Sequence, residues 1–407
     1  MSRRLSFEDA SAFLFARQNA RIKWSLGPTT ALLDVLGHPE RHFPAVHIGG
    51  TNGKGSTCAL VAAELGARGL RVGRYTSPHL VTVRERIVVD GIPIDPDAFA
   101  EWTSFLAPHI ERVDASFFEA TTAVAFADLA ARGVDIAVIE VGMGGRLDAT
   151  NVITPLVSAV TKIALEHTEY LGPDLPAIAR EKAGIAKPGM PFVTGEQDPA
   201  VRQVLLAEAE RRGARPLGSV DTRRPAAGPL GLRGAHQWAN AWLALGVLNL
   251  LPPPFGVVGD QWPPSFAHVY VPGRFEVRGR WIFDVAHNPD GARVLADALR
   301  AYDPPKPRHA LVGVLGDKDY RAMIDILAPE IDRFVFTTPA SAPAGRRWNL
   351  EALEGELALA PAARTFEPDF ARALAAVAEG AATIVVTGSF HTVGDALARL
   401  PGFAAVG

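Results

Sequence analysis

Cysteine is almost absent: Cys58 is the one such residue among 407, so no internal disulfide can form and the chain fits a reducing compartment. A long apolar run is missing too. The longest, near Trp238–Leu251, is interrupted by Asn240 and Asn249 and is too short to span a bilayer. Met1–Ala10 carries charges without the apolar centre of a signal peptide, and the expected location is the cytoplasm. Excess charge is lacking as well. A formal net charge of −3 argues against a surface that coats nucleic acid, so an anionic ligand has to be held by a local site. No internal repeat or low-complexity tract stands out. What is present is 48% hydrophobic and 21% charged residues, a soluble globular composition in a chain longer than a single core serves, and two domains are expected.

The most informative stretch is His47-Ile48-Gly49-Gly50-Thr51-Asn52-Gly53-Lys54-Gly55-Ser56-Thr57, where an apolar segment ends in a glycine-rich loop and a helix opens on a lysine and hydroxyls. Glycines allow successive N–H groups to converge on a polyphosphate. Lys54 supplies charge to the terminal phosphates, and the Ser56 or Thr57 hydroxyl can reach Mg2+ at the positive end of the helix dipole. A bare G-x-x-G would be an ordinary turn; Lys-Gly-Ser-Thr after it makes a nucleotide triphosphate the first ligand to consider. The strict phosphate-loop spacing needs glycine at position 48, which is Ile48 here. Cys58 follows this loop and reads as a small residue packing the first helical turns rather than a reactive thiol.

Short β-rich runs alternate with alanine- and leucine-rich helical patterns, the pattern of a parallel α/β architecture. Val134–Val141 reads as a buried strand ending in the polar loop Gly142–Asn151, at the sheet edge where open α/β folds bind ligands. Leu156–Ile163 reads as another, delivering Glu166-His167 to the same edge. Pro191–Thr194 follows. Residues 214–230 and 252–265 read as surface loops, rich in proline, glycine or arginine without periodicity. After Val271-Pro272-Gly273-Arg274 a new strand-loop-helix series begins at Trp281–Val285, Ala310–Leu315, Phe334–Thr338 and Thr383–Thr387. The expected units are 1–273 and 274–407.

Glu140 ends its strand either paired to a neighbour such as Arg146 or facing a metal. His167 is either a hydrogen-bonding histidine or a ligand. Coincidence with a phosphate loop shifts both toward Mg2+, although an imidazole is an unusual ligand for that ion.

Gly50–Ser56 resembles the nucleotide loop of the Mur ligases, ATP-dependent enzymes that join amino acids to carboxylates. Tyr75-Thr76-Ser77-Pro78-His79-Leu80 with Arg84-Glu85-Arg86-Ile87, the segments Glu140–Asn151 and Ile178–Ile185, His236–Ala241 and Asp284–Pro289 narrow the resemblance to the folylpolyglutamate synthase/dihydrofolate synthase branch, over nearly the whole chain. That resemblance implies an N-terminal P-loop ATPase-like domain with a mainly parallel sheet and a smaller, Rossmann-like C-terminal domain. It implies ATP at Gly50, Thr51, Asn52, Gly53, Lys54, Gly55, Ser56 and Thr57, with Asn240 at adenine, Arg274 at phosphate and Asp284 at ribose. Two Mg2+ ions are implied, one at Ser56 and Glu140, the other among Ser77, Glu140 and His167. Lys182 matches a commonly carbamylated lysine; an ammonium among Mg2+ and arginines would be repelled, whereas a carbamate reverses the charge. The bland alternative for Lys182 is a surface lysine.

On the pterin side the resemblance implies Ser116, Phe118 and Asp148, and on the glutamate side His287 and Ser389. Phe118 either stacks on a flat heterocycle or is a core residue leading into a helix over Ala120–Ala131. Asn-Pro capping also accounts for part of the Asp284–Pro289 turn. Val285, and Phe390-His391, depart from the residues common in that branch. The expected activity is ATP-dependent addition of L-glutamate to dihydropteroate, reduced folates or both, with Lys54, Glu140, His167 and Lys182 carrying the chemistry. A monomer without nucleic-acid or membrane partners is implied. The rivals are another Mur-type amino-acid ligase, which usually has an additional N-terminal substrate domain, and a non-catalytic nucleotide-binding protein.

Overall fold

The computed structural model describes residues 4–18, 25–256, 259, 261–357 and 359–402. Residues 1–3, and 257, 258 and 260 of the loop expected at 252–265, lie outside the described residues. Eight strands make the first sheet: β1 (Ala45–Gly49), β2 (Val72–Tyr75), β3 (Ile87–Val89), β4 (Ile92–Pro93), β5 (Ile136–Glu140), β6 (Val157–Val160), β7 (Pro191–Thr194) and β8 (Arg215–Ser219). Their order is β4-β3-β2-β5-β1-β6-β7-β8, with β3 and β4 antiparallel. Every residue of β1, β5, β6 and β7 is buried, which is why these strands read as unbroken apolar runs and sit in the middle of a parallel sheet covered on both faces.

Helices Lys54–Ala67 and His236–Leu250 cover one face through Leu60, Val61, Val247 and Leu248, and helix Phe117–Ala131 covers the other through Val124 and Phe126. Helix Phe117–Ala131 begins three residues before the expected start, because Ser116 and Glu119 form a capping box ahead of it.

The second sheet contains β9 (Glu276–Arg278), β10 (Trp281–Phe283), β11 (Arg308–Val312), β12 (Arg333–Phe336), β13 (Arg364–Phe366) and β14 (Thr383–Thr387), in the order β13-β12-β11-β14-β10-β9. It is parallel except for β9.

One expectation fails inside 214–230. That stretch was expected to be all loop, yet it supplies β8, a parallel edge strand on β7. Pro216 and Gly218 mask it in sequence, and an edge position tolerates both because one side of the strand needs no ladder hydrogen bonds. Its exposure alternates from residue to residue.

Candidate active site

β1 is flanked by β5 on one side and β6 on the other, so the loop leaving β1 opens into the crevice at the carboxyl ends of the sheet. Gly50 (φ +130°) and Gly53 (φ +94°) shape that loop, and neither can carry a side chain: a Cβ on Gly50 would lie 1.8 Å from Thr161 Oγ1, and one on Gly53 2.2 Å from Asn240 Oδ1. Thr51 and Asn52 tie the loop down. Thr51 N donates to the Lys162 carbonyl at 2.9 Å, and Thr51 Oγ1 exchanges hydrogen bonds with Ala164. Asn52 Nδ2 donates to Asp290 Oδ2. Lys54 folds back, donating to the carbonyls of Gly50 at 3.1 Å and Thr51 at 3.0 Å. Gly55, Ser56 and Thr57 open the helix; Ser56 and Thr57 are buried, and Thr57 Oγ1 donates to Gly53 O.

Glu140 closes β5 and faces the start of that helix, 3.6 Å from where a Gly55 Cβ would stand. It does not pair with Arg146, which instead binds Glu181 at 3.0 Å. Glu140 Oε2 accepts from the Ser77 backbone N–H at 3.0 Å. Burial pushes its carboxyl above the usual range, opposed by Lys54, the Ser77 N–H, Arg274 and Arg74.

Lys182 is fully buried rather than a surface lysine, donating to the Gly50 carbonyl at 2.9 Å and to Glu166 Oε1 at 2.5 Å. Glu166 is a carboxylate partner for Lys182 that was not assigned from sequence. Burial alone would raise Glu166, but the Lys182 and Lys54 ammoniums outweigh it and bring its carboxyl to about 2. Lys182 itself is lowered by burial, with Glu166 holding it up.

His167 begins the short helix Thr168–Leu171 in the left-handed region, φ +46°. Burial, then the Lys318 charge, lowers it to about 4, so its imidazole is neutral at pH 7. Glu140, Ser56 and Ser77 offer hard oxygen donors and His167 a neutral nitrogen, a set that fits Mg2+ shared with phosphate oxygens. Among the described residues no three His, Cys, Asp or Glu side chains cluster at metal-binding spacing.

The second sheet faces this edge. Arg274 lies over the Phe390 ring at 5.1 Å, and its charge acts on both Asp284 and Glu140. Asp284 accepts from the N–H groups of Phe275 and Ala286, each at 2.9 Å. His287 Nδ1 donates to the Val285 carbonyl, leaving Nε2 free to accept; burial lowers the ring to about 4. Lys318, whose charge reaches both His167 and His287, was not assigned from sequence because its partners lie in distant segments.

Asn240 stacks its amide against the loop and donates to Gln237. Phe118 is half-buried, its ring against Gly142 and 6.1 Å from that of Tyr75. Asp148 caps the turn after the glycine-rich loop and accepts from Met143 N and Thr150 Oγ1. Ser116 and Ser389 are helix N-caps: Ser116 serves Glu119 N, and Ser389 serves Thr392 N while donating to Gly313 O at 2.8 Å. Their hydroxyls are engaged in capping.

Two Mur ligase family models match the chain, the middle domain over residues 48–215 and the glutamate ligase domain over 273–390. The dihydrofolate synthase/folylpolyglutamate synthase of Mycobacterium tuberculosis is 39% identical over 402 residues, covering 86% of this chain and 80% of that one. The chain belongs to the dihydrofolate synthase/folylpolyglutamate synthase family. Among solved structures of that family, a Mycobacterium tuberculosis folylpolyglutamate synthase complexed with ADP superimposes with a TM-score of 0.85 at 35% identity, over 98% of this chain and 99% of that one. An Escherichia coli FolC in complex with DHPP and ADP gives 0.85 at 30% identity, over 97% of each chain. No helix among the described residues is long and apolar enough to cross a membrane.

Proposed function

We propose that this member of the family is an ATP-dependent ligase that joins L-glutamate to dihydropteroate, to reduced folates, or to both, through an acyl phosphate. The observation that carries this reading is the meeting of Lys54, Glu140 and Arg274, from two sheets, at one buried edge. Residues 1–273 form the nucleotide- and folate-binding unit and 274–407 the glutamate-binding unit in this reading.

Lys54 exchanges the Gly50 and Thr51 carbonyls for the γ-phosphate oxygens and draws charge from them as the substrate carboxylate attacks the γ-phosphorus; the bond from that phosphorus to the β,γ-bridging oxygen breaks, ADP leaves and the acyl phosphate remains. Two Mg2+ ions would be held, one by Ser56 and Glu140 and the other among Ser77, Glu140 and His167, and would supply charge neutralisation at the phosphates. Asn240, Arg274 and Asp284 orient the nucleotide. Phe118 and Asp148 hold the pterin, with Ser116 shaping that wall as a cap. The amine of glutamate, placed by His287 near Lys318 and by the Ser389-capped helix, attacks the acyl carbon; the acyl C–O bond breaks and phosphate leaves. Approach of the two units excludes the water that would compete for the acyl phosphate.

Lys182 props the loop as an ammonium. Carbamylation would add a second anion beside Glu166 and accept hydrogen bonds from the loop side; intact mass with and without bicarbonate detects it as one added CO2. A cytoplasmic monomer completes the reading, and sedimentation tests its assembly state.

The deciding experiment is ADP release by the purified protein with ATP, Mg2+ and L-glutamate, comparing 7,8-dihydropteroate with tetrahydrofolate and identifying products by mass. Turnover with both defines a bifunctional synthase, and turnover with one fixes its specificity. Absence of turnover with either would overturn the proposal.

A further inference from the structure

One carboxylate joins the second half of the molecule to the phosphate loop. Asp290 stands in the first turn of helix Pro289–Tyr302, which follows β10. Its Oδ2 accepts from Asn52 Nδ2 at 2.8 Å and its Oδ1 from Lys162 Nζ at 2.5 Å. Asn52 and Lys162 are themselves bridged through the backbone, Asn52 in the loop and Lys162 just beyond β6. The other end of the Asn52 amide receives Asn288 Nδ2 at 3.4 Å, and Asn288 is the cap of the same helix. The Asp290 side chain is 18% exposed and that of Lys162 56% exposed.

The same helix start is continuous with the nucleotide- and glutamate-side residues. His287 precedes Asn288 directly, and Asp284 lies at the end of β10. A helix start cannot leave Asn52 without carrying His287 with it, because Asn288 caps the helix through Gly291 N and His287 is held by the Val285 carbonyl.

We propose, on the basis of the ligase reading above, that Asp290 is a positioning residue: it couples the shape of the phosphate loop to the placement of the glutamate amine. Asp290 touches no reacting atom in this account. Its two oxygens report two segments of the first sheet, the loop through Asn52 and the β6 end through Lys162. When both are engaged, the amine arrives over the acyl phosphate. When the tie is cut, Lys54 still serves the first step and the acyl phosphate forms, but water competes better for it. Water then attacks the acyl carbon, the C–O bond to phosphate breaks, phosphate leaves, and the original carboxylate is restored with a proton released to solvent. ADP accumulates without amide.

The readout is therefore the ratio of ADP to glutamylated product, measured with ATP, Mg2+, L-glutamate and whichever of 7,8-dihydropteroate or tetrahydrofolate the wild-type protein uses. Wild-type turnover tests the ligase reading by itself; the variants test the coupling. For Asp290→Ala, KM for glutamate should rise by about tenfold, the scale of a lost charged hydrogen bond, while KM for ATP changes little and the ADP-to-amide ratio climbs above one. Asp290→Asn, which can still accept from one donor, should recover part of the coupling. Lys162→Met, a change at an exposed side chain that leaves the loop's backbone ties in place, should show a smaller rise in the ratio that high salt reproduces in the wild type. A ratio of one in both Asp290→Asn and Lys162→Met, or equal losses of ADP and amide in both, would overturn the proposal.

Discussion

Lys182 and Glu166 form an ion pair whose ammonium also supports the carbonyl of Gly50, so one side chain links helix Leu175–Ala183, the segment that follows β6 and the phosphate loop. Lys182 is 1% exposed, and the Glu166 side chain is 11% exposed.

Lys182→Met should therefore fail in two separable ways. It leaves the Glu166 carboxylate buried without its cation, at a cost of roughly 3–5 kcal/mol, and it removes the prop beneath Gly50. Lys182→Met with Glu166→Gln should regain most of the stability but not the turnover. Urea melts alongside ADP release measure the two effects; recovery of activity in the double variant would show that the prop is dispensable.

Lys54→Ala should abolish turnover and leave the fold intact, because among the described residues the hydrogen bonds of its ammonium run to the Gly50 and Thr51 carbonyls of its own loop. Unchanged circular dichroism together with loss of ADP release is the expected result. Wild-type activity in this variant would remove the lysine from the mechanism.

Phe118→Ala separates stacking from packing. As a platform for a flat heterocycle the ring lowers KM for the pterin substrate, and its removal should raise that KM by about tenfold with KM for ATP unchanged. A fall in melting temperature without a change in KM would assign the ring to the wall formed with Tyr75 and Gly142 alone.

His47 gives a pH prediction that does not depend on the ligands. Burial, with the Lys187 charge, lowers its pKa to about 3, and its Nε2 pairs with Thr150 Oγ1 at 2.8 Å. The unfolded chain protonates this residue near 6.5 whereas the folded chain does so only near 3, so the unfolded state binds the extra proton in between. Stability is full above pH 6.5 and falls as the pH drops toward 3, by roughly 2 kcal/mol between pH 7 and 5 from this residue. His47→Gln should flatten that slope in urea melts at the two pH values, whatever it costs at pH 7.

Much of this architecture is legible because glycine, lysine and hydroxyl residues must cluster where a strand meets a helix at a phosphate. The strands β1, β5, β6 and β7 are equally legible, as burial on both faces demands continuous apolar sequence. β8 is not, since an edge strand tolerates Pro216 and Gly218 and alternates its exposure. The pairing of Glu166, which the sequence already places at that edge, and the role of Lys318 were not legible for another reason: each depends on a partner from another segment, Lys182 for the first, His167 and His287 for the second. Ser116 and Ser389 show the opposite effect. A serine ahead of a helix satisfies a local cap whether or not a ligand lies nearby, and Glu119, three residues after Ser116, already carries the sign of it.

The hydrogen bonds from Lys54 to Gly50 and Thr51 mean that the loop supplies its own stand-in for a phosphate. In the proposed mechanism, nucleotide affinity therefore includes the cost of taking the Lys54 ammonium off those two carbonyls. A phosphate mimic that leaves those carbonyls in place will bind with less selectivity than its charge implies, and the enzyme will discriminate best among ligands whose terminal group reaches far enough to unseat them.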